Sequence, residues 1–324
     1  MRPIRRLRTL CLPLLVALAA AFLTGGPASA ATDPSHRTPL PVNYSVYGAA
    51  VAELTGAGSP PPGANDWTCK PSAAHPRPVV LVHALLVNQT MNWNAVSPAL
   101  YNAGYCVFAF DYGNTLGSAF PFNQIGGLQS MTTSAADLGA FVDRVRAATG
   151  SDKVDLVGHS EGGVVAAAYA KLVPGAAQKA GEIITFGSPV HGTDMYLLGT
   201  LKQALSKVGL GPIIDGVVDS VCTACTELLV GSDFNATLNA GGVAVPGPHY
   251  TTVASTYDTI AWPLDRDLIT APNATKVVLQ DTCWGDFTDH VNLAFDPNVI
   301  GWTLHALDPA HTGKPACRLF VPYL

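Results

Sequence analysis

The pentapeptide Gly-His-Ser-Glu-Gly at positions 158–162 constrains the fold of this chain more than any other feature of the sequence. It is a G-x-S-x-G motif, whose sharp turn leaves room only for glycine two positions before and after the serine. A β-branched apolar run over 154–157 precedes the motif, and apolar residues at helical spacing follow it from Val164. The pattern predicts a strand, a tight turn and a helix, with the Ser160 hydroxyl raised at the helix N-terminus.

Residues 1–30 have the pattern of a secretion signal. Four arginines precede an apolar run over 10–23, and the small residues Ala-Ser-Ala at 28–30 suit a cleavage site. The run is short for a membrane span, so a removed signal peptide is favoured over an uncleaved anchor. We therefore expect an extracellular, secreted protein.

The balance of charge excludes two classes of partner. The chain has 18 basic and 23 acidic residues, and loss of residues 1–30 would remove four arginines and no acidic residue, changing the formal net charge from −5 to −9. The acidic residues are spread along the sequence. No basic patch indicates binding to nucleic acid or to an anionic membrane surface. We expect a monomer without a nucleic-acid partner.

Six cysteines follow the leader, which suits an oxidising compartment. Sequence proximity and the placement of elements favour three pairs among the pairings that are possible; they are Cys69–Cys106, Cys222–Cys225 and Cys283–Cys317. The C-x-x-C spacing at 222–225 is also typical of redox or zinc sites, but no second pair or nearby histidine accompanies it. A local structural disulfide is therefore preferred, and no metal is expected.

Apolar runs alternate with helical patterns along most of the chain. Strands are predicted over 79–82, 106–110, 154–157, 183–186, 250–254 and 277–279. This alternation predicts an α/β fold with a doubly wound, mostly parallel sheet, whose active site lies at the carboxyl ends of the strands.

Three segments organise the chain after residue 30. Residues 31–77, rich in Pro and Gly, are predicted to form an N-terminal arm tied down at Cys69, and residues 78–324 to form the domain. Within the domain, 195–247 interrupts the alternation of strands and helices. Its apolar stretches over 197–208 and 213–221 predict a helical cap over the site.

Ser160 needs a base, and that base needs an orienting acid, because a serine hydroxyl is a weak nucleophile at neutral pH. Asp258 follows the strand over 250–254, and His290 lies in the loop after the last predicted strand. The chain order of serine, acid and histidine is that of α/β-hydrolases. We predict that Ser160, Asp258 and His290 form a catalytic triad.

Other candidates for the base and the acid fit less well. His305 lies in a predicted helix over 300–307, and His249 precedes a strand at the opposite end of the sheet. His191 follows a strand at the correct face and is expected as a neighbour of the site, but it comes before any plausible acid. Asp265 and Asp267 are expected in an exposed loop, because Pro263 and alternating polarity surround them.

A tetrahedral intermediate needs two backbone N–H donors for its oxyanion. Glu161, directly after the serine, is predicted to supply the first. Leu85, in the turn that follows the first strand, is predicted to supply the second. His83, in the same turn, is expected to hold it by hydrogen bonding.

These residues together resemble the secreted actinobacterial class 2 lipases, α/β-hydrolases related to the fungal lipase B type. The likeness runs from about residue 78 through nearly all of the chain, over segments 78–83, 92–94, 103–108, 157–160, 222–225, 231–234, 238–242, 257–258 and 289–290. The resemblance implies hydrolysis of triacylglycerols or simpler acyl esters without a cofactor, and transient contact with a lipid interface. It places the triad on Ser160, Asp258 and His290.

Two positions depart from the family pattern. In the turn His83-Ala84-Leu85, Ala84 stands where the family usually has glycine, which is followed there by threonine or an aliphatic residue. Glu161 stands where glutamine is common. A carboxylate beside a developing oxyanion is unfavourable unless it turns away or is paired. An acyltransferase or a polyester depolymerase would use the same triad, and a secreted binding protein without catalysis would not need it.

Overall fold

Six parallel strands form the centre of the fold in the computed structural model, which describes residues 37–56, 58–194 and 221–323. The strands are β1 (Val79–Val82), β2 (Val107–Phe110), β3 (Val154–His159), β4 (Ala180–Phe186), β5 (His249–Ala254) and β6 (Ala274–Val278). They are hydrogen-bonded in the order β2-β1-β3-β4-β5-β6. This arrangement confirms the predicted parallel sheet.

Helices in the described residues cover both faces of the sheet. They are α1 (Val46–Gly56), α2 (Gln89–Asn92), α3 (Val96–Asn102), α4 (Met131–Thr149), α5 (Glu161–Leu172), α6 (Thr223–Glu227), α7 (Asp233–Asn239), α8 (Leu279–Thr282) and α9 (Pro297–Leu307). The side chain of Ser130 caps the N-terminus of α4, and Gly150 ends the helix in the left-handed conformation, with φ of 78°.

The sheet separates two apolar layers. In β1, Val80 and Val82 face a cluster that includes Leu138 of α4, whereas Val79 and Leu81 face a second cluster under α3 and α9. All four residues of β1 are buried. A strand buried on both faces is apolar throughout, which is why this run was visible in the sequence.

Five of the six strands differ by one or more residues from their predicted bounds. β3 extends to His159 rather than to 157, and β5 begins at His249 rather than at 250. β2 begins at Val107 rather than at residue 106. β4 begins at Ala180, before the apolar run, because the strand can include Glu182, whose carboxyl is hydrogen-bonded to a polar side chain. β6 covers Ala274–Val278 rather than 277–279, and two of its residues, Thr275 and Lys276, are exposed. An edge strand that faces solvent lacks the apolar pattern of a central one.

The N-terminal arm closes one edge of the sheet. Ala64 pairs with Val107 of β2, and the side-chain amide of Asn65 both donates to Ala109 O and accepts from Ala109 N, at 2.8 and 2.9 Å. The Cys69–Cys106 disulfide fixes the same contact covalently. Helix α1 precedes this segment, so the arm adds secondary structure of its own.

The other disulfides lie near the carboxyl edge and the C-terminus. Cys222 pairs with Cys225 at the start of α6, and Cys283 pairs with Cys317, 34 residues later. Phe320 pairs with the loop after Cys283, through Phe320 N to Gly285 O at 3.0 Å. The C-terminal segment is therefore attached to the loop that leads to the predicted base.

Two predicted features fall outside the described residues. They are the secretion signal at 1–30 and the cap helices over 197–208 and most of 213–221. In the three described ranges, no helix is both long and apolar enough to cross a membrane.

Candidate active site

Ser160 occupies the turn between β3 and α5 in a strained conformation. Its φ is 54° and its ψ is −125°, a combination that non-glycine residues rarely adopt. The motif's second glycine is required by close packing, because a Cβ at Gly162 would lie 2.0 Å from Val82 O. The turn is therefore specified by the residues around the serine, and it holds the Ser160 hydroxyl at the carboxyl end of the sheet.

His290 and Asp258 continue a hydrogen-bonded row from this serine. His290 Nε2 lies 2.8 Å from Ser160 Oγ, and His290 Nδ1 lies 2.7 Å from Asp258 Oδ2. The other carboxylate oxygen of Asp258 accepts from the backbone N–H groups of Ile260 and Ala261 at 2.7 and 2.9 Å. The structure thus brings together the three residues that the sequence predicts, from three separate loops.

Asp258 is held as a carboxylate despite its burial. Burial opposes its ionisation, but the hydrogen bond and charge of His290 and the two backbone N–H groups hold its pKa below the usual value. A charged acid in this position orients the imidazole and stabilises the imidazolium that proton transfer creates.

The turn after β1 presents Leu85 to the same site. Ala84 N donates to Asn92 Oδ1 at 3.2 Å, and Leu86 N donates to Gly126 O at 3.0 Å. For Leu85 N, between them, no acceptor is found among the described residues. The turn therefore has the arrangement expected of an oxyanion donor, with its neighbours' N–H groups used to hold it in place.

His83 holds this turn in place through hydrogen bonds. It is fully buried, and its Nδ1 lies 2.8 Å from Ala84 O. Tyr112 N lies 3.3 Å from the other ring nitrogen, and the Tyr112 hydroxyl donates to His83 O at 2.7 Å. Burial lowers the pKa of His83, which favours the neutral ring that these contacts need.

The Glu161 carboxyl turns into the protein rather than toward the oxyanion. It is fully buried, and neither of its oxygens has a hydrogen-bond partner in the described structure. It lies against Gly127, where a Cβ would come within 2.5 Å of Glu161 Oε2. Burial, reinforced by the charge of Glu227, raises the pKa of Glu161 well above its usual value. The side chain therefore avoids the predicted conflict by favouring its neutral form.

His159 links the two halves of the site, a role that the sequence analysis missed. One ring nitrogen lies 3.0 Å from Asn92 Oδ1, and the other lies 2.9 Å from His290 O. Burial, and then the charge of His290, lower the pKa of His159 to about 3. The sequence feature that could have predicted this role is the position of His159 directly before Ser160 in the pentapeptide. A side chain there lies between the loop that carries His290 and the residues that hold the turn after β1.

Comparison with known proteins agrees with this geometry. The family model for the alpha/beta hydrolase fold matches residues 77–194. The crystal structure of Aspergillus fumigatus lipase B resembles the chain with a TM-score of 0.59 at 16% identity, covering 79% of this chain and 56% of that one. The chain has the α/β-hydrolase fold. In α/β-hydrolases the nucleophile follows a central strand, as Ser160 follows β3 here.

Two bacterial triacylglycerol lipases are similar to this chain over part of its length. The lipase of Burkholderia plantarii is 30% identical over 151 residues, which cover 45% of this chain and 37% of that protein. The lipase of Pseudarthrobacter phenanthrenivorans is 29% identical over 127 residues, which cover 38% of this chain and 36% of that protein. The aligned part is thus little more than a third of either relative.

The Ser160 hydroxyl borders a cavity of about 260 Å³. Most of the described residues that line it are apolar; they include Val46, Leu85, Leu86, Val87, Met91, Pro189, Leu228, Ile260, Val291 and Phe295. Val46 comes from α1, so the N-terminal arm supplies part of the wall. Such a lining suits an apolar ligand more than a polar one.

Two residues near the site are not where the sequence predicts. Asp267 is predicted in an exposed loop, but it is buried, with 1% of its surface exposed. It follows a single helical turn over Leu264–Arg266, which directs it into the protein. Asp265, within that turn, is exposed as predicted. The sequence predicts His191 as a neighbour of the site, but it is not among the described residues lining the cavity. Its ring instead hydrogen-bonds to Oδ1 of Asn239, the last residue of α7.

The two other histidines considered as the base, His249 and His305, lie away from the row, as expected. His249 is the first residue of β5 and lies 3.0 Å from Glu182 Oε1 at the amino end of the sheet. His305 of α9 hydrogen-bonds to Thr312 O through Nδ1, at 2.6 Å. No group of three or more His, Cys, Asp or Glu side chains in the part of the chain that the structure describes is arranged to hold a metal ion.

Proposed function

We propose that this protein is a serine hydrolase of carboxylic esters, a lipase or carboxylesterase. The observation that carries the proposal is the row from Ser160 Oγ through His290 to Asp258, with contacts of 2.8 and 2.7 Å. The two similar bacterial proteins are triacylglycerol lipases, which supports the same reaction class.

In the first half of the proposed reaction, His290 Nε2 takes the hydroxyl proton as Ser160 Oγ attacks the ester carbonyl. The N–H groups of Leu85 and Glu161 stabilise the oxyanion that forms. His290 then returns the proton to the leaving alcohol, and the acyl group remains on Ser160. Asp258 orients the imidazole and offsets its transient positive charge.

In the second half, water replaces the alcohol. His290 accepts one proton from the water as its oxygen attacks the acyl-enzyme, and then returns that proton to Ser160 Oγ. The products are a carboxylic acid and the free enzyme. The residues act without a cofactor in this scheme.

The substrates that we propose are acyl esters, triacylglycerols among them. The cavity beside Ser160 is lined mainly by apolar side chains, and its volume is about 260 Å³. Apolar walls favour an acyl chain through the area that they remove from water.

We propose that a lipid surface meets the protein around this cavity. Tyr47, Val51 and Leu54 form an outward stripe on α1, and Leu86 and Val291 lie at the cavity; all five are exposed. Exposed apolar side chains grouped at a substrate entrance are typical of contact with an apolar phase.

Secretion is part of the proposal, together with a monomeric state. It is supported by the predicted leader and by the three disulfides, which are typical of oxidising compartments.

The test is hydrolysis of p-nitrophenyl esters from acetate to palmitate by the wild-type protein and by Ser160→Ala. We expect ester hydrolysis by the wild type, and a fall in kcat on the order of 10⁴-fold in the variant. A fluorophosphonate probe should label the wild type at Ser160 and leave the variant unlabelled. Near wild-type turnover by Ser160→Ala would refute the assignment.

A further inference from the structure

Asp267 is buried, and it lies close enough to Asp258 for the charge of that residue to act on it. One of its carboxyl oxygens, Oδ1, accepts from the backbone N–H of Ser188 at 2.9 Å. The other, Oδ2, has no hydrogen-bond partner within the described residues. A buried carboxyl with a free oxygen destabilises the fold by itself, so its position calls for an explanation beyond packing.

The turn that Asp267 holds lies directly behind the acid and the base. Gly187 has a φ of 57°, and a Cβ there would lie 3.0 Å from Asp258 Oδ2 and 3.2 Å from His290 Nδ1. The backbone at Gly187 therefore packs closely against Asp258 Oδ2 and His290 Nδ1, the two atoms whose hydrogen bond orients the imidazole. A shift of this turn by a few tenths of an ångström would be transmitted to that bond.

The same turn also supports the nucleophile. Phe186 O accepts from Ser160 N at 3.0 Å. The Ser188 side chain packs against the start of α5 so closely that a Cβ at Gly163 would lie 2.0 Å from Ser188 Oγ. Residues 186–188 thus separate the nucleophile from the acid and contact both.

We propose that Asp267 is a positioning residue for catalysis, whose carboxyl holds the Gly187–Ser188 turn against the Asp258–His290 pair. The inference rests on the proposed ester hydrolysis at Ser160 and adds a residue outside the triad to it. Asp267 contacts neither the Ser160 hydroxyl nor the cavity, and acts through the backbone that it binds.

The electrostatics of the site suit an uncharged side chain at this position. Burial and the charge of Asp258 raise the pKa of Asp267 well above its usual value. Asn has the same shape and keeps an oxygen acceptor for Ser188 N–H. Asp267→Asn should therefore preserve the support, whereas Asp267→Ala removes it.

Asp155 provides a matched control at the other end of the sheet. It is also buried, and its carboxyl also accepts a backbone N–H, from Glu182 at 2.7 Å. It lies at the start of β3, whereas Ser160 follows the end of that strand. Asp155→Ala should lower the melting temperature and leave kcat within about twofold of the wild type.

The experiment compares kcat and KM for p-nitrophenyl butyrate, and the rate of fluorophosphonate labelling, at a temperature well below each melting transition. For Asp267→Ala we expect kcat and the labelling rate to fall about 100-fold with little change in KM, since small misplacements of catalytic groups have effects of that order. Asp267→Asn should recover both rates to within about fivefold of the wild type.

Three outcomes would overturn the inference: a folded Asp267→Ala with wild-type kcat, an equal loss in Asp155→Ala, or no recovery in Asp267→Asn. If Asp267→Ala is insoluble, Asp267→Ser replaces it, with the same expected fall and the same refutation. Wild-type activity and the Ser160→Ala loss test ester hydrolysis separately, so failure of the proposed function is distinguishable from failure of this inference.

Discussion

At the scale of single residues, the site contains two buried acidic side chains whose carboxyl groups are incompletely hydrogen-bonded. Glu161 and Asp267 both lie within the protein near Ser160, each with at least one carboxyl oxygen unpartnered in the described structure. Each has a raised pKa because burial penalises the charged form and a second acid is near. Asp258, the acid of the proposed triad, differs because His290 and two N–H groups stabilise its charge.

Replacing Glu161 by Gln should stabilise the protein at alkaline pH. An acid whose pKa is raised by folding contributes stability below its unfolded pKa and loses it as pH rises through the folded pKa. Gln cannot ionise, so Glu161→Gln should lose less stability on the same pH rise. We expect a melting temperature about 2–4 °C higher at pH ~9, with the gain vanishing near pH ~4.

The measurement is thermal unfolding by calorimetry across that pH range. Asp152→Asn, at an exposed carboxyl, is the control and should not show the pH-dependent gain. A Glu161→Gln variant that melts below the wild type at every pH would show that the carboxyl makes a stabilising interaction.

The limits of sequence reasoning are clearest at such residues. Ser160, Asp258 and His290 could be predicted because each follows a strand and their order is characteristic. The burial of Asp267 could not, since its acidic, proline-flanked segment is locally the same as a solvated loop. Tertiary contacts with Ser188 decide its position, and no local pattern encodes them.

At the scale of elements, helix α1 combines two faces with different surroundings. Val46 and Ala49 are buried, and Val46 reaches the cavity of Ser160. Tyr47, Val51 and Leu54 point outward at the spacing of one helix face. The Pro- and Gly-rich composition of the arm predicted a surface segment but not a helix that helps to form the cavity.

Charged substitutions on this stripe should reduce activity on lipid surfaces specifically. We expect Val51→Glu or Leu54→Glu to lower the rate on emulsified tributyrin about tenfold, because burying a charge in an apolar phase is costly. Hydrolysis of soluble p-nitrophenyl acetate should remain within about twofold of the wild type.

Ala147→Glu serves as the control, since this residue is exposed near the opposite end of α4 from the site. Equal losses on both substrates in the stripe variants would assign the stripe to folding, and full activity on the emulsion would remove it from the proposed lipid contact.

Central strands could be predicted from the sequence more accurately than the edge strand β6. β1 and β3 are buried along their whole length and were predicted at nearly their true positions. β6 was misplaced because its exposed Thr275 and Lys276 break the apolar run. Periodicity thus identifies central strands, whereas edge strands depend on neighbours that are distant in sequence.

For the molecule as a whole, disulfides of different span should contribute unequally to stability. Cys69 and Cys106 are 37 residues apart, whereas Cys222 and Cys225 are separated by 3. A crosslink over a longer loop removes more entropy from the unfolded chain. Its loss should therefore be the more destabilising of the two.

We expect Cys69→Ser/Cys106→Ser to lose about 4 kcal/mol of unfolding free energy, and Cys222→Ser/Cys225→Ser about 2 kcal/mol. Urea denaturation of the two double variants beside the wild type measures both values. A greater loss in the short-span variant would contradict the chain-entropy argument and indicate a packing role for that disulfide.

The pairing of the arm with β2 has a consequence for the solubility of the protein. An open sheet edge exposes unpaired N–H and C=O groups that can recruit a strand from another molecule. Here Ala64 and Asn65 occupy that position beside β2, and the exposed Lys276 places a charge on the edge strand β6. Both edges therefore resist the addition of foreign strands, which protects the folded protein from aggregation.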